Sequence, residues 1–359
     1  MYYMKIIDEL NEVEITNFEN FINKTKTLFP NDTGTEFYKG IFYKQTGRQK
    51  EANKLLRAIP LADGVDNSEF THDLTDIGLV LHNLGKKHVA EMIYTEASRQ
   101  HLFLTPHQRP LLFLEDIETK PIWPSDLDGE LDDELTPYKK AFSALLKDWE
   151  TVRDEAVGVG KNITANLNWK RQGYNPANPR TLVTEPKANH MFTAKDGVEM
   201  HAWNVFPLYM WGKKKNSACS VAPTTCSLLK NHFQDATKCP SCTVKFIKLD
   251  PKVSIQPHVA PTNDRLRIYL GLSNAEKLKY VIEGGSAKTG TEVPMVNGKL
   301  KVVDESHAHS LLNTSQDEPI YLLGIDFYHP NLPVKWLEGE TKKEGITIGE
   351  HALNRFFFH

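Results

Sequence analysis

Two histidines stand out as residues that could hold a metal ion. His258 is flanked by prolines that favour extended or turn backbone, so its imidazole is expected at the stiff end of a strand. His309 shares a face with His307 and follows an apolar strand and the turn-forming residues Asp304-Glu305-Ser306. Imidazoles about fifty residues apart on two short strands suit a metal site inside a small antiparallel barrel. The chain has 14 histidines, so this separation alone also fits two structural histidines.

A basic strand follows the first of these histidines. Arg265, Arg267 and Tyr269 alternate with apolar residues and fall on one face of the predicted strand, opposite Leu266, Ile268, Leu270 and Leu272. This polar face either meets solvent or lines a cavity that receives an anion. Because charged residues are mostly exposed, the strand taken alone favours the solvated face.

Composition and charge limit the class of protein. The chain has 359 residues, of which 40% are hydrophobic and 25% are charged, and its formal net charge is -3. These values predict an ordinary globular protein of two domains and argue against a nucleic-acid binder. No apolar run is long enough to span a membrane, and the acidic beginning does not resemble a secretory signal. The expected location is therefore cytoplasmic.

Four cysteines, Cys219, Cys226, Cys239 and Cys242, lie close together in the sequence. Their spacing fits poorly the two close pairs that a four-thiolate zinc site normally uses. A bridge between Cys219 and Cys226 is favoured over zinc, and free thiols would fit the cytosol.

The N-terminal third contains an internal repeat. The positions Gly40, Gly47, Ala52 and Leu55 recur 38 residues later as Gly78, Gly85, Ala90 and Ile93. The pattern predicts two tetratricopeptide-like helical pairs, with a generic helical hairpin pair as the alternative. Because each repeat buries its apolar face only against a neighbour, this region is expected to be a scaffold that docks a partner or a second subunit.

The remainder of the chain predicts a helix over 135–157, long loops over about 158–195, and then short strands separated by turns. The predicted strands cover 200–206, 243–249, 265–272, 278–282, 300–303 and 320–327. The predicted fold class is α+β, with an N-terminal α-helical repeat domain over 1–105. A double-sheet barrel domain with a flanking helix and loops is predicted over 106–359.

Several motifs of this second region resemble one known family. They are Pro257-His258, Thr262-Asn263, Arg265-Leu266-Arg267, Leu270-Gly271-Leu272, Asp304-Glu305-Ser306 before His309, and Asp326-Phe-Tyr-His329-Pro330. The chain resembles the aspartyl/asparaginyl β-hydroxylases, non-haem Fe(II), 2-oxoglutarate-dependent oxygenases. In that family a double-stranded β-helix (jelly-roll) catalytic domain follows tetratricopeptide helices. The motif before the second histidine reads Asp-Asp-Ser in the family.

The resemblance implies a metal centre at His258 and His309, with Fe(II) as the expected metal and copper as an alternative. The residue two after His258 is Ala260, which has no carboxylate. This agrees with the family, whose site resembles a two-histidine arrangement with water in the carboxylate's place. The additional open positions leave oxidative halogenation as a minor alternative.

The resemblance also assigns cosubstrate contacts, and here the chain departs from the family. Arg267 corresponds to the arginine that holds one carboxylate of 2-oxoglutarate, Tyr269 replaces its partner histidine, and Arg265 is a further candidate contact. The serine and arginine that meet the distal carboxylate are replaced by Ile247 and by Pro319 or Ile320. Lys245, Lys288 or Lys301 could supply the missing positive charge, although nothing in the sequence indicates that their side chains point toward the distal carboxylate. Use of 2-oxoglutarate is thus an open question.

The substrate side departs as well. Where the family has Trp-Gln-Gln-Gly, this chain has Tyr209-Met210-Trp211-Gly212. Met210 and Trp211 are predicted to line a substrate pocket with apolar and aromatic surface. A small molecule or a peptide is expected, and a smaller or more aromatic substrate fits better than the aspartate or asparagine of a folded peptide module.

Three hypotheses about function follow. The first is a metal-dependent oxygenase that hydroxylates a C–H bond with O2, with Arg267 and Tyr269 as candidate catalytic and cosubstrate-binding residues. The second keeps the metal, iron or copper, but takes its electrons from the substrate or an external reductant. The third is a non-catalytic binding protein built on helical repeats.

Overall fold

The computed structural model places the chain in two compact units, Met1–Arg109 and Pro110–His359. It describes residues 12–28, 33–57, 74, 78, 81, 87–100, 102–110, 113–114, 117–127, 129–161, 170–171, 183–184, 203–260, 262–283 and 290–332. Within this part of the chain no helix is both long and apolar enough to cross a bilayer. The division expected from the sequence, at residue 105, stays a prediction.

The first unit is mainly helical in its described residues up to residue 99, and residues 102–107 form bends. Its helices are α1 Glu12–Leu28, α2 Thr33–Gln45, α3 Gln49–Arg57 and α4 Lys87–Arg99. A Cβ atom on Gly40 of α2 would lie 2.3 Å from a methyl carbon of Leu56 of α3, so only glycine permits this close packing. A Cβ on Gly78 would lie 2.0 Å from the hydroxyl of Tyr94 of α4. Gly85 lies outside the described residues, and the tetratricopeptide assignment stays a prediction.

The second unit combines helices with two antiparallel sheets. Its helices are α5 Lys139–Lys147, α6 Trp149–Gly160, α7 Asn216–Val221, α8 Pro223–His232 and α9 Gln234–Lys238, with short 3-10 helices at Asp133–Tyr138 and Ala275–Lys277. The first seven strands are β1 Ile122–Trp123, β2 Lys170–Arg171, β3 Val183–Thr184, β4 Trp203–Met210, β5 Lys213–Lys214, β6 Thr243–Leu249 and β7 Ser254–His258. The others are β8 Arg265–Ser273, β9 Leu278–Ile282, β10 Thr291–Val293, β11 Leu300–Val303, β12 His309–Asn313 and β13 Ile320–Tyr328.

The strands β6 to β13 form a jelly roll. The larger sheet has the order β1-β11-β8-β13-β6-β4-β2, and the smaller sheet has the order β10-β9-β12-β7-β3. The chain passes from one sheet to the other between β6 and β7, β7 and β8, β8 and β9, β10 and β11, β11 and β12, and β12 and β13. This alternation of antiparallel strands between two facing sheets is the double-stranded β-helix expected from the sequence.

The larger sheet is covered on both faces. One face packs against the smaller sheet, and its apolar residues Ile247 and Leu322 share one buried cluster with Ile255 and Leu311 of that sheet. The opposite face packs against the helices. From the strands, its buried cluster includes Phe206, Phe246, Ile268 and Leu270. From the helical layer, it includes Phe142 of α5, Val152 of α6, Leu229 of α8 and Phe233, which directly follows α8. Inward residues of the larger sheet therefore point into the space between the sheets, where the site lies.

Local contacts hold the helical layer together. The carboxylate of Glu155 on α6 accepts hydrogen bonds from the backbone N–H groups of Thr224 and Thr225 at 2.8 and 2.9 Å, at the start of α8. Two disulfides, Cys219–Cys226 and Cys239–Cys242, pair the four cysteines. The structure thus includes the expected first bridge and adds a second one.

Candidate metal centre

His258 and His309 face each other across two paired strands. His258 ends β7, His309 begins β12, and the two residues are direct partners in the antiparallel register. Their ring centroids are 4.2 Å apart. The two strands come from distant parts of the sequence, so the sheet pairing brings the imidazoles together.

Both imidazoles are fixed in the tautomer that suits a metal ligand. The Nδ1 atom of His258 lies 2.8 Å from the backbone carbonyl oxygen of Gln256, and the Nδ1 atom of His309 lies 2.9 Å from that of His307. A carbonyl oxygen only accepts, so each Nδ1 carries a proton, and Nε2 is the atom of each ring through which a metal ion could bind. Burial, followed by the neighbouring His309, lowers the pKa of His258 to about 3, which keeps its ring neutral at pH 7.

The polar face of β8 lines the interior and does not meet bulk solvent. Arg265 is 9% exposed and Tyr269 is 4% exposed, while Leu266, Ile268, Leu270 and Leu272 lie in the helix-facing cluster. The alternation expected from the sequence is correct, but the solvated face that the strand alone favoured is wrong. The second sheet covers this face, and a single-strand pattern does not show which elements pack on it.

Arg267 is already bound by two carboxylates. Its Nε donates to Asp326 Oδ1 at 2.5 Å, and its Nη1 forms an ion pair with Glu305 Oε2. Burial raises the pKa of Asp326, but the charge of Arg267 and its hydrogen bond outweigh that effect, so the pKa of this carboxyl lies well below its usual range. Asp326 also accepts hydrogen bonds from the backbone and hydroxyl of Thr243.

Glu305 connects this cluster to the histidines. Its Oε1 accepts a hydrogen bond from the hydroxyl of Tyr269 at 2.5 Å and lies 3.4 Å from Nε2 of His309. Its backbone carbonyl accepts from the N–H of Ala260 at 2.6 Å. The sequence pattern assigned Glu305 only to a turn, because nothing in the pattern shows that the turn folds toward the end of β7.

Aromatic residues surround the histidines. The rings of Trp203 and His258 have centroids 6.2 Å apart, and those of Tyr280 and His309 are 6.0 Å apart. Neither aromatic residue was predicted for the site, since each is one apolar position of an ordinary strand. Met210 and Trp211 lie at the other end of β4 from Trp203, and their role in a substrate pocket stays a prediction.

Arg265 makes its own contacts apart from the Arg267 cluster. Its Nη1 donates to the backbone carbonyl of Ser241 at 2.8 Å and lies 3.8 Å from Asp264 Oδ1. Its contact with a cosubstrate stays a prediction.

Comparison with known proteins agrees with the geometry. The sequence profile of the family described as Aspartyl/Asparaginyl beta-hydroxylase matches residues 146–330, just over half of the chain. The chain belongs to the aspartyl/asparaginyl β-hydroxylase family. It is 25% identical over 319 residues to the aspartyl/asparaginyl beta-hydroxylase of Mus musculus, and 24% identical over 320 residues to that of Homo sapiens. Both alignments cover 88% of this chain but only 37% and 36% of the relatives, so the chain spans little more than a third of their length.

Solved structures with some likeness include an oxidoreductase of the 2OG-Fe(II) oxygenase family from Burkholderia pseudomallei. It is 12% identical with a TM-score of 0.27, and the match covers 36% of this chain and 69% of that one. Another is the non-heme alpha ketoglutarate dependent epimerase SnoN from nogalamycin biosynthesis. It is 13% identical with a TM-score of 0.30, and the match covers 49% of this chain and 71% of that one.

The two histidines fit a transition-metal ion of the kind this hydroxylase family implies. Each ring has its Nδ1 atom on a backbone carbonyl, which leaves Nε2 as the atom that would bind the ion, and imidazole suits Fe(II) as well as copper. In the described part of the chain, no three His, Cys, Asp or Glu side chains are grouped so that they could hold a metal ion. The structure therefore offers two prepared ligands, with Glu305 beside one of them.

The ordinary pose of 2-oxoglutarate does not fit the same site. That pose needs a carboxylate on Arg267 and a donor at position 269, but Glu305 already pairs with Nη1 of Arg267 and accepts a hydrogen bond from the hydroxyl of Tyr269. The buried Lys245 lies near this cluster, where burial, followed by the charge of Arg267, lowers its pKa to about 8. Its charge is balanced in part by Asp326 and Glu305, which raise that pKa. Lys288 lies outside the described residues.

Proposed function

We propose that this chain is a metal-dependent oxygenase of the hydroxylase family, which binds Fe(II) through Nε2 of His258 and His309. The observation that carries the proposal is the pairing of the two imidazoles in register, each with Nδ1 bonded to a backbone carbonyl. Such hydrogen bonds fix the ring orientation and raise the basicity of the ligating nitrogen. Two histidines with a purely structural role would not both need this Nδ1 hydrogen bond within one buried space.

When bound, Fe(II) supplies the open coordination positions and the redox chemistry with which O2 oxidises a C–H bond. The chain's own residues orient and enclose that centre. His258 and His309 hold the ion, and the rings of Trp203 and Tyr280 beside them exclude water. The substrate class expected from the sequence, a small molecule or a peptide, remains part of this proposal.

The source of electrons is the point on which the chain departs from its family. Insertion of one oxygen atom into a C–H bond, with reduction of the other to water, takes two electrons and two protons from a reductant. The two carboxylates on Arg267 favour the second hypothesis, in which the substrate or an external reductant supplies them. Iron and copper are both compatible with two imidazoles.

The proposal is tested first by metal binding. Anaerobic calorimetric titration with Fe(II) is expected to give one site in the wild-type chain and none in His258→Ala or His309→Ala. His232→Ala, which removes an exposed imidazole at the end of α8, is the matched control and keeps the site. A wild-type chain that binds no metal would favour the non-catalytic binding protein.

The second test follows oxygen uptake by the iron-loaded chain with ascorbate as reductant, with and without 2-oxoglutarate. The proposal expects uptake that requires His258 and is indifferent to 2-oxoglutarate. Uptake that depends on 2-oxoglutarate, with succinate formed in equal amount, would keep the oxygenase but reject the second hypothesis about its electrons.

We also propose that the chain works in an oxidising compartment. Disulfides persist in such compartments and are rare in the cytosol, and the four cysteines are paired. This favours a location other than the cytoplasm expected from the sequence.

A further inference from the structure

Tyr280 reaches from the smaller sheet toward the larger one. It lies on β9, where its backbone partner is Leu311, two residues after His309 on β12. Its ring packs edge-on against His309, with centroids 6.0 Å apart, and against Tyr269 of the larger sheet, with centroids 5.6 Å apart. One side chain therefore contacts both a histidine of the candidate metal centre and the polar face of β8.

The hydroxyl of Tyr280 is buried without a hydrogen-bond partner. The residue is 0% exposed, and within the described ranges of the chain no donor or acceptor is bonded to its Oη. Buried hydroxyls are nearly always paired, and leaving one unpaired destabilises the folded state. A phenylalanine would fill the same space without that cost. The hydroxyl therefore indicates an acceptor that the protein itself does not supply.

This hydroxyl keeps its proton. Burial, followed by the neighbouring Tyr269 and Glu305, holds the pKa of Tyr280 well above its usual range. The charges of Glu305 and Arg267 both act on this pKa, so the hydroxyl lies close to the charged cluster of β8. Tyr269 already donates its own hydroxyl to Glu305 at 2.5 Å. Of these two phenols, Tyr280 is thus the one with a proton left to donate.

The charges around Tyr280 favour a neutral acceptor over an anion. Arg267 is paired with the carboxylates of Glu305 and Asp326. The buried Lys245 adds one positive charge to this cluster, so the two cations and the two carboxylates balance. An anionic oxygen on Tyr280 would stand near ionised Glu305 without a further cation, which is costly in a buried site. A neutral carbonyl oxygen accepts the same hydrogen bond without that repulsion.

We propose that the hydroxyl of Tyr280 binds a neutral carbonyl oxygen of the substrate, such as that of an amide, beside His309. This inference rests on the proposed oxygenase and specifies the chemical class of its substrate. Tyr280 acts as a positioning residue, which orients the substrate and supplies neither electrons nor protons to the reaction. A substrate with a carboxylate at this point binds more weakly.

Benzamide, benzoate and toluene are the probes, because they share one ring and differ in the group that Tyr280 meets. Each is titrated calorimetrically into the wild-type chain and into Tyr280→Phe at pH 7.5. The comparison with benzoate is made on the metal-free chain, since a carboxylate can also bind an ion directly. Benzamide and toluene are also titrated with Co(II) bound, under nitrogen.

The wild-type chain is expected to bind benzamide more tightly than benzoate. We expect Tyr280→Phe to weaken benzamide binding about 5–10-fold, the size of one hydrogen bond, and toluene binding by less than about 2-fold. The matched control is Tyr138→Phe, which removes a hydroxyl that donates to Asp235 in the helical layer. It should keep the affinity for benzamide within about 2-fold, because distant sites act independently.

Thermal melts without a probe separate a substrate donor from a structural hydroxyl. Because the hydroxyl is unpaired in the free chain, Tyr280→Phe should melt within about 2 °C of the wild-type chain or at a higher temperature. A hydroxyl that bonds a buried water or another protein group would lower the melting temperature when it is removed. A decrease of more than about 2 °C would therefore overturn the inference.

Three binding results would also overturn it. They are equal affinity of the wild-type chain and Tyr280→Phe for benzamide, no binding of benzamide by the wild-type chain, and equal losses for benzamide and toluene. Tighter binding of benzoate than of benzamide would overturn the neutral acceptor. A wild-type chain that binds no Co(II), but whose benzamide affinity still depends on Tyr280, would support the carbonyl site and reject the oxygenase.

Discussion

His258 and His309 are direct partners in the register of two antiparallel strands, with ring centroids 4.2 Å apart. Their Nδ1 atoms bond to carbonyl oxygens of Gln256 and His307, each two residues earlier in the chain. The same local geometry is therefore repeated on both strands, and it turns both Nε2 atoms toward the space that the sheets enclose.

Arg267 is predicted to be a principal stabiliser of the barrel interior. Arg267→Met leaves the carboxylates of Glu305 and Asp326 buried without their shared cation, and we expect a loss of about 3–5 kcal/mol in the free energy of unfolding. Urea denaturation followed by tryptophan fluorescence measures it. Arg153→Met, which removes a more exposed guanidinium on α6, should cost about 1 kcal/mol or less. Equal costs for the two variants would contradict the account.

His329 is predicted to make the fold sensitive to mild acid. Its ring packs edge-on against Trp123, with centroids 5.1 Å apart, and burial lowers its pKa to about 4. Below the ordinary histidine pKa of about 6.5, His329 is protonated in the unfolded chain but stays neutral in the folded chain. The free energy of unfolding therefore falls as the pH drops from about 6.5 toward 4. We expect this residue to account for about 2 kcal/mol of the loss between pH 7.5 and pH 5.

The measurement for His329 compares urea denaturation at the two pH values in the wild-type chain and in His329→Asn. His329→Asn is less stable at both pH values. Its free energy of unfolding should, however, fall by about 2 kcal/mol less than that of the wild-type chain between pH 7.5 and pH 5. An equal pH-dependent loss in both chains would show that His329 titrates normally in the folded state.

Gly40 is predicted to be intolerant of a methyl group. The added Cβ of Gly40→Ala would lie 2.3 Å from a carbon of Leu56, which is 1% exposed and has no room to retreat. Overpacking of this kind costs about 1–3 kcal/mol. Gly158→Ala is the matched control, since its Cβ would meet nothing within 4 Å inside helix α6. That variant should be neutral or more stable by about 0.5–1 kcal/mol. Thermal melts of the two variants measure these effects. An equal decrease of the melting temperature in both variants would contradict the prediction.

The two disulfides predict protection of all four cysteines. Iodoacetamide should modify none of them in the denatured, unreduced chain and all of them after reduction, as measured by intact mass. The bridges Cys219–Cys226 and Cys239–Cys242 close short loops, so each is expected to contribute about 2 kcal/mol by restricting the unfolded chain. Modification before reduction would contradict the pairing and restore the cytosolic alternative.

Strand periodicity was sufficient to predict much of the barrel. The alternation over Arg265 to Leu272 placed the arginines and Tyr269 on one face, and the turn before His309 placed that histidine at a strand start. The packing partners were not predictable, because they depend on which distant strands pair. Asp326 reaches Arg267 from the neighbouring strand β13, and Glu305 reaches Tyr269 from a turn. A sequence pattern of period two indicates which residues share a face of a strand, but it does not indicate which elements pack on that face.

The measurement that tests the metal centre most directly is an anomalous difference map from crystals of the chain loaded with Co(II), collected at the cobalt absorption edge. We expect one peak within ligand distance of Nε2 of both His258 and His309, about 2.1 Å from each. A peak bound by only one of them, or no peak between them, would contradict the assignment of these histidines to one ion.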